Sequence, residues 1–324
     1  MNMIRPDKAE RIEYKADYQK DTAYSAYARL LQSKWRTKKD FPEGKEPERK
    51  SSNEKETFPA GSYLEEKFAK EKKANFLTDN IKFLVTQEIE NAKETGALIS
   101  EPRIWNNLLS SQPLCFNLFG EFYFDLNLAT LFFQHIFPGR LDKVMAIKFE
   151  YSPGRGDPKY LGDRSAFDVF VEYRKGDKKG FIGIEVKYAE SLKEETNALA
   201  KKRFEKRKEQ TDRYTDLTYE CGLFKPDCVD LLRMPPLSQI WRDHLLSIAT
   251  NKDYDEGFFV FLFPRNNSHC QNGVDSYKQL LVFDNEARSG FYPRYLDDFI
   301  DTLTVISSDD WVNDLKQRYI GTDE

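Results

Sequence analysis

The chain has 324 residues, of which 40% are hydrophobic, 32% charged and 14% aromatic. Its 25 Phe and 17 Tyr exclude a disordered chain. A net charge of −4 excludes a uniformly basic nucleic-acid coat, though a local basic patch would still suffice to hold phosphates. No apolar run approaches the ~18 residues of a membrane span, and the polar stretch from Met1 to Lys20 does not read as a secretory signal. Cys115, Cys221, Cys228 and Cys270 lack C-x2-C spacing, which argues against a disulfide scaffold or a structural zinc and for a reducing, cytoplasmic setting.

In chain order, Asp21 is expected to cap a helix that carries Tyr24, Tyr27, Leu30, Leu31 and Trp35 on one face. A stretch rich in Lys, Glu, Pro and Ser, about residues 38–61, reads as a linker. Ser62 and Glu65 form a capping box, and a further helix carries Phe76, Leu77, Ile81, Leu84, Val85 and Ile89 up to Gly96. The composition then turns apolar, which predicts a helical region over 1–96 and a second domain over 97–324. Cys115 to Phe137 reads as one buried helix ended by Pro138 and Gly139. Strands are expected over Val144–Tyr151, Phe167–Tyr173, Phe181–Tyr188 and Phe258–Phe263, with a long charged helix over Glu194–Tyr219 and a helix near Asp310–Tyr319. The predicted class is α/β, a central mixed sheet flanked by helices and preceded by a helical N-terminal region.

The chemistry concentrates in two strands. In the second, alternation puts Glu185 and Lys187 on one face and Ile182, Ile184 and Val186 on the other. If Gly176 and Asp177 form a two-residue hairpin loop, Lys175 pairs with Lys178, and Asp168 falls opposite Glu185. Two carboxylates about 5 Å apart on one ladder repel each other. A divalent cation between them removes the conflict, and oxygen ligands suit Mg²⁺. Lys187 would orient the attacking water or stabilise charge on a phosphate. Glu13/Lys15, Glu43/Lys45, Glu65/Lys67 and Glu71/Lys73 share the Glu-x-Lys spacing but lie in polar stretches. His135, among Phe132, Phe133 and Ile136, reads as a packed side chain. Lys201, Lys202, Arg203, Lys206, Arg207, Lys208 and Arg213 make the Glu194–Tyr219 helix basic enough to pair with phosphates, although the interleaved Glu205, Glu209 and Asp212 also suit a solvated face.

Asp168, a hairpin and then Glu185-Val186-Lys187 resemble the signature of the PD-(D/E)XK nuclease superfamily. The order helix, three strands, helix, strand is similar to its restriction-endonuclease-like core. The stretch Ser111-Gln112-Pro113-Leu114-Cys115-Phe116-Asn117-Leu118-Phe119 and the Gly183-to-Tyr188 strand resemble a bacterial restriction-endonuclease-like branch, and the resemblance covers about Leu98 to Phe263. The Pro-Asp dipeptide of the superfamily name is absent, since Ala166 and Phe167 precede Asp168. The resemblance implies a nuclease using Mg²⁺ (or Mn²⁺), with Asp168 and Glu185 as metal ligands and Lys187 catalytic. It also implies an acid on the first core helix, matched by Glu121 with Asp125 as the fallback. Gln210 and Tyr214 match a Gln-x-x-x-Tyr pattern that would touch substrate, with Lys206 and Arg213 beside them. DNA is the implied partner and restriction or phage defence the implied role. RNA cleavage, a non-cleaving nucleic-acid-binding subunit, and a subunit gated by a partner or a second copy through the N-terminal helices stay open.

Overall fold

The computed structural model describes residues 3–45, 58–192 and 212–321. Among them the helices run α1 Lys8–Glu13, α2 Ala23–Lys38, α3 Glu66–Lys72, α4 Asp79–Thr95, α5 Arg103–Asn106, α6 Ser111–Phe124 and α7 Leu126–Ile136. After the first three strands come α8 Asp212–Glu220, α9 Val229–Leu232, α10 Leu237–Thr250, α11 Ser268–Lys278, α12 Glu286–Ser289, α13 Leu296–Ile306 and α14 Asp310–Tyr319. The strands are β1 Lys143–Tyr151, β2 Phe167–Lys175, β3 Lys178–Val186, β4 Glu256–Phe263 and β5 Phe291–Tyr295, in spatial order β1-β2-β3-β4-β5. The first three are antiparallel, and β4 and β5 add in parallel to β3. This is the α/β mixed sheet the sequence predicts, with β5 as an additional strand. No described helix is long and apolar enough to cross a membrane, and all four cysteines are unpaired.

Local chemistry moves several expected boundaries. Thr22, not Asp21, caps α2 by accepting from Ser25 N at 3.0 Å, while Asp21 holds Arg29 at 2.7 and 3.0 Å. Ser62 lies in a 3-10 turn, and Glu65 caps α3 by accepting from Lys67 N and Phe68 N. The single helix expected over Cys115–Phe137 is two. Asp125 donates its N–H to Glu121 O, ending α6, and its carboxylate accepts from Asn127 N and Leu128 N at 2.9 Å, starting α7. A carboxylate near unpaired amide N–H groups begins a helix better than it continues one. His135 is exposed rather than packed. The charged helix expected over Glu194–Tyr219 is described only from Asp212. The helix packed on β4 between the third and fourth strands is α10.

Each face of the sheet has its own apolar core. Val169, Val171, Ile182, Ile184, Val186, Val260 and Leu262 join Phe116 and Phe119 of α6 on one side. Phe170, Phe181, Phe259 and Phe261 join Ile240, Trp241 and Leu245 of α10 on the other. The α6-side core also takes in Tyr24 and Trp35 of α2, Leu84 of α4 and Trp311 and Tyr319 of α14, so the helices before residue 97 and after residue 309 pack into the layer that backs the sheet. A buried polar network runs through that layer. Arg318, fully buried, donates to Gln32 Oε1 at 3.1 Å and to Asn75 O at 2.7 Å, and its guanidinium lies 4.2 Å from the centre of the Trp35 ring. Gln32 donates in turn to Tyr188 Oη at 2.9 Å, just past the end of β3.

On the α10 side, His244 is buried with Nε2 donating to Ser289 O and Nδ1 accepting from the Tyr277 hydroxyl, each at 2.9 Å. This is the neutral ring, and burial pushes its pKa down to about 4. The unfolded chain's imidazole binds a proton near pH 6.5 and the folded one does not, so this stabilisation is complete above pH 6.5 and is lost as pH falls toward 4. The expected difference is roughly 3 kcal/mol. Urea unfolding at pH 7 and pH 4.5 should show this loss in the wild type and a flatter response in His244→Gln; equal slopes would refute it.

Candidate active site

The hairpin register is the one the Gly176-Asp177 loop dictates. Lys175 pairs with Lys178 and the ladder runs unbroken to Val169 opposite Ile184. Gly176 takes the positive φ (+55°) that such a loop requires. Counted one residue beyond that last pair, Asp168 would fall opposite Glu185, and the Glu185 charge acts on Asp168. Asp168 Oδ2 accepts from Val186 N at 2.7 Å, so the carboxylate is fixed to the backbone of β3.

Glu185 and Lys187 are 5% and 6% exposed. Lys187 Nζ and Gln239 Nε2, the latter from the first turn of α10, both donate to Glu185 Oε1 at 2.5 Å. Lys187 N extends the parallel ladder by donating to Leu262 O at 2.8 Å. Burial alone would lower the Lys187 pKa, but Glu185, Glu190 and Asp168 around it hold it above the ordinary lysine value. Asp168 moves well above the usual carboxylate range through burial and the charges of Glu185 and Glu150.

A third carboxylate stands across the second ladder. Phe149 pairs with Val169 and Tyr151 with Phe167, so Glu150 of β1 lies opposite Asp168. Glu150 has φ +46°, a left-handed conformation that is costly for a non-glycine residue. Simple alternation breaks at these two residues. Phe149 and Val169 lie in the α6-side core, whereas Phe167 lies in the α10-side core with Tyr151 packed against it. Gln112 at the start of α6 donates to Glu150 Oε1 at 2.5 Å. Burial and the charge of Glu185 push the Glu150 pKa up to about 7, against Gln112 and Arg155. Asp243 of α10 is likewise pushed to about 7 by burial and by Glu185, against Arg242.

These residues make a carboxylate-rich end of the sheet, with Glu150, Asp168, Glu185, Glu190 and Asp243 set against Lys187 and Arg242. Such a set of hard oxygen donors fits a divalent cation in kind. Among the described residues, no group of three or more His, Cys, Asp or Glu side chains is arranged to hold a metal ion. Mg²⁺ is commonly held by only one or two carboxylates, with water and phosphate oxygens completing the shell. Asp168 and Glu185 are the two carboxylates that could serve that smaller requirement.

A family model for the PD-(D/E)XK nuclease superfamily matches residues 19–321, nearly the whole chain. The chain belongs to the PD-(D/E)XK nuclease superfamily. The five-stranded mixed sheet flanked by helices is accordingly a restriction-endonuclease-like fold. Comparison with curated proteins and with solved structures gave no match.

Against the superfamily pattern, the structure gathers Asp168, Glu185 and Lys187 but not Glu121. Glu121 accepts from Thr78 Oγ1 and from Asn80 Nδ2 at the start of α4, and Thr78 caps that helix. It braces α6 against α4, more than two turns from Gln112, the α6 residue that reaches the carboxylates. The fallback Asp125 is spent on capping α7. Tyr214 hydroxyl donates to Asp163 Oδ2 at 2.5 Å, and its ring meets Trp241 edge-on at 5.3 Å, which braces the loop entering β2. Arg213 Nε holds the same loop at Tyr160 O, 3.2 Å away. Gln210, Lys206 and the basic run from Lys201 to Lys208 lie outside the described residues. Sequence reasoning missed Glu150, which no motif marks, and Gln239. The pattern Leu237, Ile240, Trp241, Leu245 on a helix entering the Phe258–Phe263 strand was the available signal for the latter.

Two stability outcomes follow. A Cβ on Gly183 would lie 2.4 Å from the ring of Phe167, the neighbour of Asp168 in the chain. Gly183→Ala should therefore cost about 1–3 kcal/mol in urea unfolding; an unchanged midpoint would sink this account of the ring's position. Glu121→Ala should cost about 1–2 kcal/mol through lost hydrogen bonds while sparing whatever chemistry the sheet end performs. Lost activity at unchanged stability would return Glu121 to the site.

Proposed function

We propose that the protein is a metal-dependent nuclease that hydrolyses phosphodiester bonds in DNA, with Mg²⁺ or Mn²⁺ as its cation, in restriction or phage defence within the cytoplasm. The observation that supports the reading is the convergence of Asp168, bonded to Val186 N of the neighbouring strand, on Glu185, to which Lys187 is bonded, in a chain of this superfamily. The choice of DNA and of defence rests on the likeness of Ser111–Phe119 and of the Gly183-to-Tyr188 strand to the restriction-endonuclease-like branch.

Asp168 and Glu185 would hold the cation, with Glu150 beside them. When bound, the cation lowers the pKa of a ligated water and polarises phosphoryl oxygens. Lys187 supplies N–H donors to the attacking water or to a phosphate oxygen where charge develops. Gln239 and the Val186 N–H keep the two carboxylates in place, so neither has to reorganise as substrate arrives. Tyr214 and Arg213 fix the loop that leads into Asp168.

Supercoiled plasmid incubated with Mg²⁺, Mn²⁺ or EDTA tests the proposal. Nicking should require the metal and should fall at least about 100-fold in Asp168→Ala and in Lys187→Ala. Activity retained in both variants would remove the assigned site. Absence of cleavage by the wild type with either metal would favour a non-cleaving binding module, and preferential cleavage of RNA in a parallel assay would replace the substrate.

A further inference from the structure

The cations beside the carboxylates and on the neighbouring helices α8 and α9 are mostly engaged already. Lys187 is bonded to Glu185, and Arg155 is tied to the carbonyls of Gly96 and Glu150 at 3.0 and 3.2 Å. Arg213 is tied to Tyr160 O and Glu220. Arg233 donates to Asp230 and Thr215. Arg242 differs. It sits three residues after Gln239 on α10, on the face that reaches Glu185, and Glu185 is among the charges that act on it. Its one described hydrogen bond runs from Nε to Asp243 Oδ1 at 3.0 Å, and its side chain is 38% exposed. The four N–H groups on its two terminal nitrogens are therefore uncommitted among the described residues, beside the carboxylates and open to solvent.

Asp243 gives this arrangement its meaning. Its side chain is 0% exposed, and among the described residues Oδ2 is buried without a hydrogen-bond partner. Neighbouring residues on a helix do not face each other, so the guanidinium has to fold back along α10 to meet this carboxylate. A buried, half-satisfied carboxylate is an expensive way to stabilise a helix. What it achieves is to fix Nε and aim the rest of the guanidinium fork. A fork held at Nε presents its two terminal nitrogens in the geometry that grips two oxygens of one phosphate.

We propose that Arg242 is a phosphate-binding residue of this site, gripping a backbone phosphate of the nucleic acid, and that Asp243 is the positioning residue that aims it. The inference rests on the nuclease reading above and adds to it a cation outside the Asp168, Glu185 and Lys187 set.

The test measures binding of a 20-bp DNA duplex in Ca²⁺, under conditions where no product forms, across a salt series, together with cleavage kinetics in Mg²⁺. Arg242→Gln should flatten the slope of log affinity against log salt by about 0.9 and lower kcat/KM by about 10- to 100-fold. Arg242→Lys keeps the charge without the fork, so the slope should stay and kcat/KM should still fall. Asp243→Asn leaves the arginine in place but unaimed and should give the same pattern as the lysine variant. Because Arg242→Gln strands the buried carboxylate, the double variant R242Q/D243N restores charge balance and guards against misfolding; its slope should be flattened as in the single variant. A double variant that binds and cuts like the wild type would overturn the proposal while leaving the nuclease reading intact. A wild type that neither binds nor cuts DNA would overturn both.

Discussion

The carboxylates of Asp168 on β2 and Glu185 on β3 are close enough to act on each other, and much of the architecture around them answers that conflict. Two like charges about 5 Å apart at an effective dielectric near 20 repel by about 3 kcal/mol. Strand pairing cannot relieve it, because the tight loop and the apolar residues of both faces fix the register. Relief comes from outside the ladder. The Val186 N–H takes one oxygen of Asp168, and Lys187 and Gln239 converge on one oxygen of Glu185. The surrounding charge stays negative, and Asp168 and Glu150 hold protons more tightly than ordinary carboxyls.

The local backbone is bent to this end. Phe167 and Val169 lie two residues apart yet serve opposite cores, and the change of side falls on Asp168 and on Glu150 across from it. The left-handed conformation of Glu150 costs on the order of 1–3 kcal/mol, and the close approach of the Phe167 ring to Gly183 leaves no room for a side chain there. These are departures from regular strand geometry, gathered at the one place where side chains must converge rather than alternate. Helix α6 contributes Gln112 to the same end of the sheet and leaves Glu121 to brace α4.

Much of this was legible in the chain. The hairpin could be read because a Gly-Asp loop admits one register, and every pairing from Lys175 to Val169 follows from it by counting. The strands were visible because β-branched and aromatic residues alternate or run together between breakers. What stayed hidden depended on contacts distant in sequence or on backbone angles. Glu121 looks like a first-helix acid in one dimension and becomes a brace once Thr78 and Asn80 arrive beside it. Glu150 could not be seen, since a positive φ in a strand leaves no trace in side-chain pattern. The second core helix was sought in the charged run before Tyr219, whereas packing on β4 falls to Leu237–Thr250, whose apolar stripe is interrupted by the polar residues that serve the site.

Among the described residues the guanidinium of Arg318 has no carboxylate partner. Gln32 and Asn75, both ahead of residue 97, satisfy it by hydrogen bonding, and the ring of Trp35 covers it. Through Gln32 the same network touches Tyr188, one residue beyond the lysine of the site. A chain shortened before residue 97 would leave a bare cation inside an apolar layer and a loosened end on β3. The N-terminal helices are therefore not an attachment that can be cut away to expose an independent catalytic half; dissection of this protein into pieces would destroy the very geometry it set out to isolate.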